Sequence, residues 1–152
     1  LRPLPYGDAS RLDLLRTAGA GSAKILVVAV DDMEQSLEIV DLVKEHFPQL
    51  EIVARAKDVT HWNKLRDRNV MLVERELFES SLRSARSVLE LWGQSTELAE
   101  QSASTFRKHN LELFEKLHPH YRDPAKLISV VREGRQQLEE QMAQERAANA
   151  QR

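Results

Sequence analysis

Charged side chains that could hold a ligand follow several short apolar runs in the first half of the chain. Asp8, Asp31 and Arg55 each come directly after such a run. A carboxylate in this position can accept hydrogen bonds from ribose hydroxyls, and a guanidinium can hold a carboxylate through two parallel hydrogen bonds. Asp8 is equally compatible with a structural role as a turn or capping residue. The neighbouring Asp32 is better suited to capping a helix than to binding a ligand.

Two further polar residues stand out in the second half. Arg75 opens a long helical pattern, where its guanidinium could hold a carboxylate or form a surface ion pair. Asn110 falls between Phe106 and Phe114 at four-residue steps, which puts its amide on the apolar face of a helix. A buried amide without partners costs about 1–3 kcal/mol. It therefore either ties two helices together or contacts a ligand in a cleft.

Other kinds of chemistry find no support. The chain has no cysteine, which excludes disulfides and thiolate sites. His118 and His120 have no third ligand at a suitable spacing, so no metal site is expected. Ser80 and Ser81 lack a neighbouring histidine and aspartate, and we predict no catalytic residue. A net charge of −2 without a basic stripe argues against nucleic acid as a partner.

The elements that would position these side chains alternate between two periodicities. Apolar, β-rich runs predict strands, and the stretches between them have helical spacing. We expect strands near residues 4–6, 24–30, 50–54 and 70–73, and helices capped by Ser10, Asp32 and Asp58. The run at 24–30 is continuous enough to be buried on both faces of a sheet. This order predicts an α/β fold with a parallel sheet, whose ligands bind at the carboxyl ends of the strands.

No glycine-rich phosphate loop accompanies this pattern. The only glycine pair, at Gly19 and Gly21, follows a helix and is expected to end it. The chain also opens without Met or a capped element, so we expect it to start within a domain. If the fold is of the dinucleotide-binding type, its first strand, glycine loop and second strand would then precede Leu1.

The second half is helical throughout. Apolar spacing predicts helices at 75–92, 95–118 and 125–149, of which the last is polar and expected to be solvated or loosely packed. We therefore divide the chain into a Rossmann-like part at 1–74, a pair of helices at 75–118 and a polar helical tail at 119–152. The expected fold class is a partial Rossmann-like parallel sheet followed by long C-terminal helices.

Three short segments in the first half, taken together, resemble nucleotide-binding domains that regulate potassium transport. They stand at successive strand ends with matching spacing: Tyr6-Gly7-Asp8-Ala9-Ser10, Ala29-Val30-Asp31-Asp32 and Val53-Ala54-Arg55-Ala56-Lys57-Asp58. Further segments are similar to the regulatory domain of glutathione-gated potassium-efflux antiporters of the Kef type: Val43–Pro48, Glu74–Glu79 and Phe106–Asn110. The resemblance runs from about Tyr6 to Leu117.

The resemblance implies two ligands. An adenine nucleotide, NAD(H) or AMP, would bind in the crevice through Asp8, Ala9 and Asp31, with Arg55 at the same edge. Glutathione or its adducts would bind through Arg75 and Asn110 and thereby gate the antiporter. The residues at these positions match the family's motifs. The given sequence lacks the glycine-loop segment, which carries another arginine of the family's glutathione site.

The resemblance also implies partners. The domain would form a homodimer through the C-terminal helices. It would regulate the transmembrane antiporter domain of the same polypeptide, at the cytoplasmic face of the bacterial inner membrane. It would also bind an ancillary oxidoreductase subunit. Two alternatives stay open at this point. One is a nucleotide sensor of another potassium channel or uptake system; the other is a fragment of an NAD(H)-dependent oxidoreductase.

Overall fold

The computed structural model describes the backbone of residues 6–150 and the side chains of residues 11–148. The chain divides between Leu77 and Phe78 into two compact units. The first contains helix α1, strand β1, helix α2, strand β2, helix α3 and strand β3: Tyr6–Thr17, Ile25–Val28, Met33–His46, Glu51–Ala56, Val59–Asp67 and Leu72–Arg75. The second contains helices α4, α5 and α6, with a short 3-10 turn before the last: Phe78–Leu91, Thr96–Leu117, His118–His120 and Pro124–Ala150.

The three strands of the first unit form one parallel sheet in the order β1-β2-β3. Ile25 is paired with Glu51 and Val28 with Ala54, while Ala56 is paired with Arg75 on the other side. Helices α2 and α3 make the two crossovers that parallel pairing requires. The predicted α/β fold with a parallel sheet and following helices is confirmed.

The core of this unit lies on one face of the sheet, against α2 and α3. Alternate residues of β2 are buried there together with apolar residues of both helices: Ile52, Ala54, Ala56, Val40, Val43, Trp62 and Leu65. Burying a large apolar side chain stabilises a fold by about 1.5–3 kcal/mol. This face therefore supplies most of the hydrophobic stabilisation of the sheet.

The opposite face of the sheet differs from the sequence expectation. Ile25 is 61% exposed and Val27 is 65% exposed, so β1 is not buried on both faces. Because side chains alternate along a strand, both project away from the α2 and α3 side. The continuous apolar run correctly predicted a strand, but a run cannot show which layers of the fold cover it.

Side-chain caps fix the starts of two helices in the sheet unit. Asp32 accepts a hydrogen bond from the backbone N–H of Gln35 at 2.8 Å, and Asp58 accepts one from that of His61 at 2.8 Å. Both caps were predicted from the sequence and are confirmed. Gly19 has a φ of 88°, which places it in the left-handed conformation that ends α1 as expected.

The start of α1 was predicted wrongly. The helix begins at Tyr6 and already includes Ser10, which therefore does not cap it. The described helix thus extends a full turn further toward the N-terminus than the sequence pattern had indicated. Of the predicted strand at 4–6, residues 4 and 5 lie outside the described residues, and Tyr6 belongs to the helix.

The third strand extends two residues further toward its carboxyl end than predicted. Arg75 is the last residue of β3, not the first residue of a helix, and α4 begins at Phe78. The Glu76 N–H donates to the carbonyl of Ala56 at 3.0 Å, so the ladder continues one residue beyond the strand. Backbone pairing with β2 therefore delays the helix that the apolar spacing of 75–92 had suggested.

The second unit is built from three helices, with α5 packed against both α4 and α6. Most residues of α6 are exposed, as expected of a solvated helix, but it approaches α5 closely at one point: a Cβ on the buried Gly134 would lie 2.7 Å from Leu113 Cδ1. Thr105 also donates to the Glu145 carboxylate at 3.0 Å. Within residues 6–150, no helix combines the length and apolar character that crossing a membrane requires.

A buried histidine joins the first turn of α3 to α2 and to the end of β2. The His61 Nδ1 accepts from the Lys57 N–H at 3.3 Å, and its Nε2 lies 3.1 Å from Ser36 Oγ. The ring is fully buried. Burial lowers its pKa, against the raising effect of Asp58 and with a further lowering by Lys64. The neutral form with Nε2 protonated fits both contacts.

Acid should therefore destabilise this protein through His61. Because the pKa is lower in the folded than in the unfolded state, stability should fall as the pH drops below about 6.5, the unfolded value. We expect the loss of unfolding free energy between pH 7.5 and 5.5, measured in urea, to be shallower in His61→Gln than in the wild type. His120→Gln should keep the wild-type slope. Equal slopes for the wild type and His61→Gln would contradict the assignment.

Candidate functional site

Charged side chains from all three strands meet at the carboxyl edge of the sheet. Asp31 follows β1, Arg55 lies near the end of β2, and Glu76 follows β3. Parallel strands bring their carboxyl ends to one edge, which is where open α/β sheets bind ligands. The prediction that polar residues gather at this edge is confirmed for Asp31 and Arg55.

Arg55 connects the three strand ends. Its Nη2 donates to the Ala29 carbonyl at 2.9 Å and to Asp31 Oδ1 at 2.5 Å. Its Nη1 lies 3.7 Å from Glu76 Oε1. The guanidinium thus holds one carboxylate in a short charge-assisted hydrogen bond and a second one in a looser ion pair.

The two neighbouring aspartates after β1 have different environments. The side chain of Asp31 is 91% exposed although it contacts Arg55. Asp32 has its carboxylate engaged at the start of α2. An exposed carboxylate held in one orientation can accept hydrogen bonds from the hydroxyls of a ligand, whereas the capping carboxylate stabilises the helix. Of the pair, Asp31 is the candidate ligand residue.

The predicted nucleotide residues Asp8 and Ala9 lie in the first turns of α1. Their side chains fall outside the described residues. Their contribution to a site stays a prediction from the sequence. Arg55, which the sequence also assigned to this site, acts in the structure on Asp31 and on the Ala29 carbonyl.

Arg75 lies at the same edge of the sheet but on its other face. It is paired with Ala56, whose side chain is buried on the side of α2 and α3, and it is itself half-buried. Arg55 is paired with Glu74 on the open face. Because neighbouring residues of a strand point to opposite faces, Arg75 and Glu76 also diverge. Arg75 is thus a strand-end residue, which corrects its predicted place at a helix start.

Asn110 belongs to the second unit, where it is half-buried in α5. One turn earlier, Arg107 binds the Glu79 carboxylate of α4 through two hydrogen bonds of 2.8 Å each. These bonds with Glu79 raise the pKa of Arg107 above its ordinary value. A bidentate pair fixes the register of two helices, so the turn that carries Asn110 has a defined position relative to α4.

The largest apolar cavity between the described helices of the second unit does not suit a charged ligand. It has a volume of about 360 Å³ and is lined mostly by aliphatic and aromatic side chains of α4 and α5 with Met142 of α6. Its charged lining residue, Arg86, donates to the Glu100 carboxylate at 2.6 Å. A ligand with two carboxylates would find little to bind there.

Sequence reasoning missed the participation of Glu76 and of the Ala29 carbonyl in the charged edge. Glu76 could have been found, because Glu74-Arg75-Glu76 was recognised as a segment, but the strand was predicted to end at Val73. The carbonyl has no sequence signal, since every residue carries one. The burial of His61 was also not predicted; it follows from the packing of α3 on α2 and β2.

Comparisons with known proteins match both units of the chain. The model of the TrkA-N domain matches residues 2–74, and that of the potassium efflux system KefB C-terminal domain matches residues 80–152. Neither description names an enzyme. A solved structure described as the Shewanella denitrificans Kef CTD in AMP bound form is similar with a TM-score of 0.70 and 40% identity, covering 76% of this chain and 72% of that one.

Curated relatives extend the similarity. The glutathione-regulated potassium-efflux system protein KefC of Klebsiella pneumoniae (strain 342) is 49% identical over 112 residues, which cover 74% of this chain and 18% of that protein. The KefC protein of Salmonella arizonae is 45% identical over 119 residues, or 78% of this chain and 19% of that protein. The chain therefore spans about a fifth of the length of these relatives.

Proposed function

Since the chain belongs to the family of Kef C-terminal regulatory domains, we propose that it senses ligands and gates potassium efflux. The transport would be potassium–proton antiport, and the signals would be glutathione and its adducts. The observation that carries this proposal is the charged edge of the sheet, where Arg55 joins three strand ends beside an exposed carboxylate. In such a domain the ligand binds one of two conformations more tightly than the other and so shifts the equilibrium between them.

An adenine nucleotide is the first ligand of the proposal. The exposed carboxylate of Asp31 lies at the carboxyl edge of the sheet, where it can accept hydrogen bonds from ribose hydroxyls. The similar Shewanella structure is described as AMP-bound. We therefore assign AMP, with NAD(H) as the other candidate, to this edge; Asp8 and Ala9 complete the proposed site from α1.

Asp31→Asn should weaken AMP binding about tenfold, because hydrogen bonds to a charged group contribute about 1.5–3 kcal/mol. Isothermal titration calorimetry with AMP measures the effect. Asp32→Asn is the matched control: it removes the same charge one residue away, and Asn caps a helix about as well as Asp. It should leave the AMP affinity unchanged. Equal affinities for the wild type and Asp31→Asn would refute the assignment.

Glutathione is the second ligand, bound through Arg75 and Asn110. At neutral pH this tripeptide carries two carboxylates and one ammonium. A guanidinium can hold one carboxylate bidentately, and a side-chain amide can both donate to and accept from the peptide linkages. In support, Arg75 stands at the strand edge where ligands of such sheets bind, and Asn110 lies on a helix that Arg107 and Glu79 hold in register.

Arg75→Ala should weaken glutathione binding about tenfold or more, and Asn110→Ala about two- to tenfold, following the strengths of charged and neutral hydrogen bonds. Calorimetry with reduced glutathione measures both. Arg135→Ala, which removes an exposed guanidinium paired with Glu139 on α6, is the control and should bind like the wild type. Unchanged affinity in both site variants would rule out this site.

The proposed partners follow from the same family. We propose a homodimer through the C-terminal helices, a transmembrane antiporter domain in the same polypeptide, and an ancillary oxidoreductase subunit, at the cytoplasmic face of the inner membrane.

For the homodimer, the end of α4 gives a specific argument. Leu91 is 89% exposed and the adjacent Trp92 is 84% exposed. Large adjacent apolar side chains at the surface favour a protein partner.

Replacing Leu91 and Trp92 together by Ser should raise the dimer dissociation constant at least about tenfold, since burying a large apolar side chain contributes about 1.5–3 kcal/mol. Sedimentation velocity over a concentration series measures this constant. Leu14→Ser changes another exposed apolar residue, on α1, and should sediment like the wild type. A monomeric wild type, or a double variant that dimerises equally well, would refute this interface.

A nucleotide sensor without a glutathione response is the second candidate function. The match of residues 2–74 to the TrkA-N domain favours it, because that half of the chain carries the proposed nucleotide edge. The match of residues 80–152 to the KefB C-terminal domain favours the first candidate. AMP binding with no heat of glutathione binding in the same preparation would decide for the nucleotide sensor.

A further inference from the structure

The apolar cavity of the second unit is a candidate ligand site that neither AMP nor glutathione accounts for. Its volume of about 360 Å³ lies within the usual range of small-molecule sites. Of the described residues, none that is assigned to AMP or glutathione lines it. Its apolar walls come from three helices: Phe78, Leu82 and Leu89 of α4, Ala103 and Phe106 of α5, and Met142 of α6. The cavity is therefore a separate place where a small molecule could bind.

The charged group at this cavity is already satisfied by the protein. The Arg86 guanidinium donates to the Glu100 carboxylate at 2.6 Å, and its Nε lies 3.7 Å from Glu90 Oε1. One cation thus faces two anions. A charged ligand would have to leave water without gaining a free partner of opposite charge, which is costly. The chemistry of the cavity therefore selects an uncharged occupant.

Ser102 offers a hydrogen-bonding group at the cavity. It is half-buried in α5, and its hydroxyl has no polar partner in the part of the chain that the structure describes. Ser84 and Ser87 of α4, in contrast, donate to backbone carbonyls one turn earlier in their helix. Because a hydroxyl can both donate and accept, Ser102 can pair with a hydroxyl or a carbonyl oxygen of a ligand.

A second cavity of about 310 Å³ adjoins the first and gives a ligand its direction. The two share Leu89, Ser102 and Met142. The second is also lined by the amides of Gln94 and Gln101, so it is more polar than the first. Ser102 therefore stands where an apolar space meets a polar one. A molecule with an apolar body and one polar end matches this arrangement.

We propose that the cavity binds a small uncharged amphiphile, which consists of a short aliphatic chain with one hydroxyl or carbonyl oxygen. The chain lies between α4 and α5, and the oxygen pairs with Ser102. Met142 of α6 lies against the ligand, and its unbranched thioether can adapt to chains of different shape. This inference adds a third class of ligand and does not depend on the AMP or glutathione sites.

Methionine-methyl NMR of the full chain with n-octanol tests the site directly. Of the three methionines, Met142 lines the cavity, whereas Met33 and Met71 belong to the sheet unit. We expect a saturable shift of the Met142 methyl signal, with a dissociation constant on the order of 0.1–1 mM for a ligand of this size. The signals of Met33 and Met71 should not move.

Related compounds test the chemistry of the ligand. n-Hexanol should bind about tenfold more weakly than n-octanol, because each methylene group that leaves water adds to the affinity. Octanoate has the same number of carbon atoms but a charged end, and it should bind at least about tenfold more weakly. Equal affinities for octanoate and n-octanol would refute an uncharged occupant.

Two variants test the position of the ligand. Ser102→Ala should weaken n-octanol binding about two- to tenfold through the loss of one neutral hydrogen bond. Ala85→Leu enlarges a side chain of the cavity wall and should abolish binding. Ser87→Ala and Ala125→Leu make the same changes at residues that do not line the cavity, and both should bind like the wild type.

Several outcomes would overturn the inference. One is an unchanged Met142 signal in n-octanol; another is wild-type affinity in Ser102→Ala or in a folded Ala85→Leu. If the Met33 and Met71 signals show that Ala85→Leu is unfolded, Ser102→Ala decides. A Met142 signal that responds to protein concentration and not to n-octanol would show that a second copy covers the cavity. Each of these results would leave the proposed AMP and glutathione responses standing.

Discussion

Parallel pairing of three strands is the constraint on which the rest of this structure depends. It requires helical crossovers between the strands, and α2 and α3 supply both the crossovers and the buried face that stabilises the sheet. It also fixes direction, because every strand must end at the same edge. Asp31, Arg55 and Glu76 are separated by more than twenty residues from one to the next. They meet only because the register of the sheet aligns their strand ends.

The same pairing sorts the charged residues of the edge between two faces. Arg55 and Asp31 interact on the open face, while Arg75 points to the side where α2 and α3 pack. A one-residue slip of β3 would exchange the positions of Arg75 and its neighbours. The backbone bond from Glu76 to Ala56 extends the ladder and opposes such a slip. The chemistry of the edge therefore depends on backbone hydrogen bonds, whereas the stability of the unit depends on the apolar face behind it.

Local sequence signals predicted the features that are decided locally. The caps at Asp32 and Asp58 and the helix end at Gly19 each depend on a few residues, and all three were predicted correctly. The features that were missed depend on pairing or packing between distant segments. Arg75 lies in a strand because β2 binds it, and β1 is open on one face because the described helices of the unit pack on the other. The close approach of α6 to α5 depends on Gly134 meeting Leu113, which helical periodicity alone cannot show. The site predictions for Asp8, Ala9, Arg75 and Asn110 stay predictions, since they concern ligands.

A gating domain must convert a small binding energy into a preference between two conformations. A carboxylate in the exposed segment between two units suits this purpose better than one in the core, because a carboxylate in the core would carry a desolvation cost in both conformations. Glu76 and Leu77 join the sheet unit to the helical unit covalently. Glu76 is exposed, and its ion pair with Arg55 is long at 3.7 Å, so the free-energy cost of strengthening or releasing that pair is small. Under the proposed function, a ligand at the edge of the sheet would act on this segment without disturbing the apolar face that stabilises the sheet. Of the two carboxylates that Arg55 contacts, Glu76 is the one whose ion pair costs less to change.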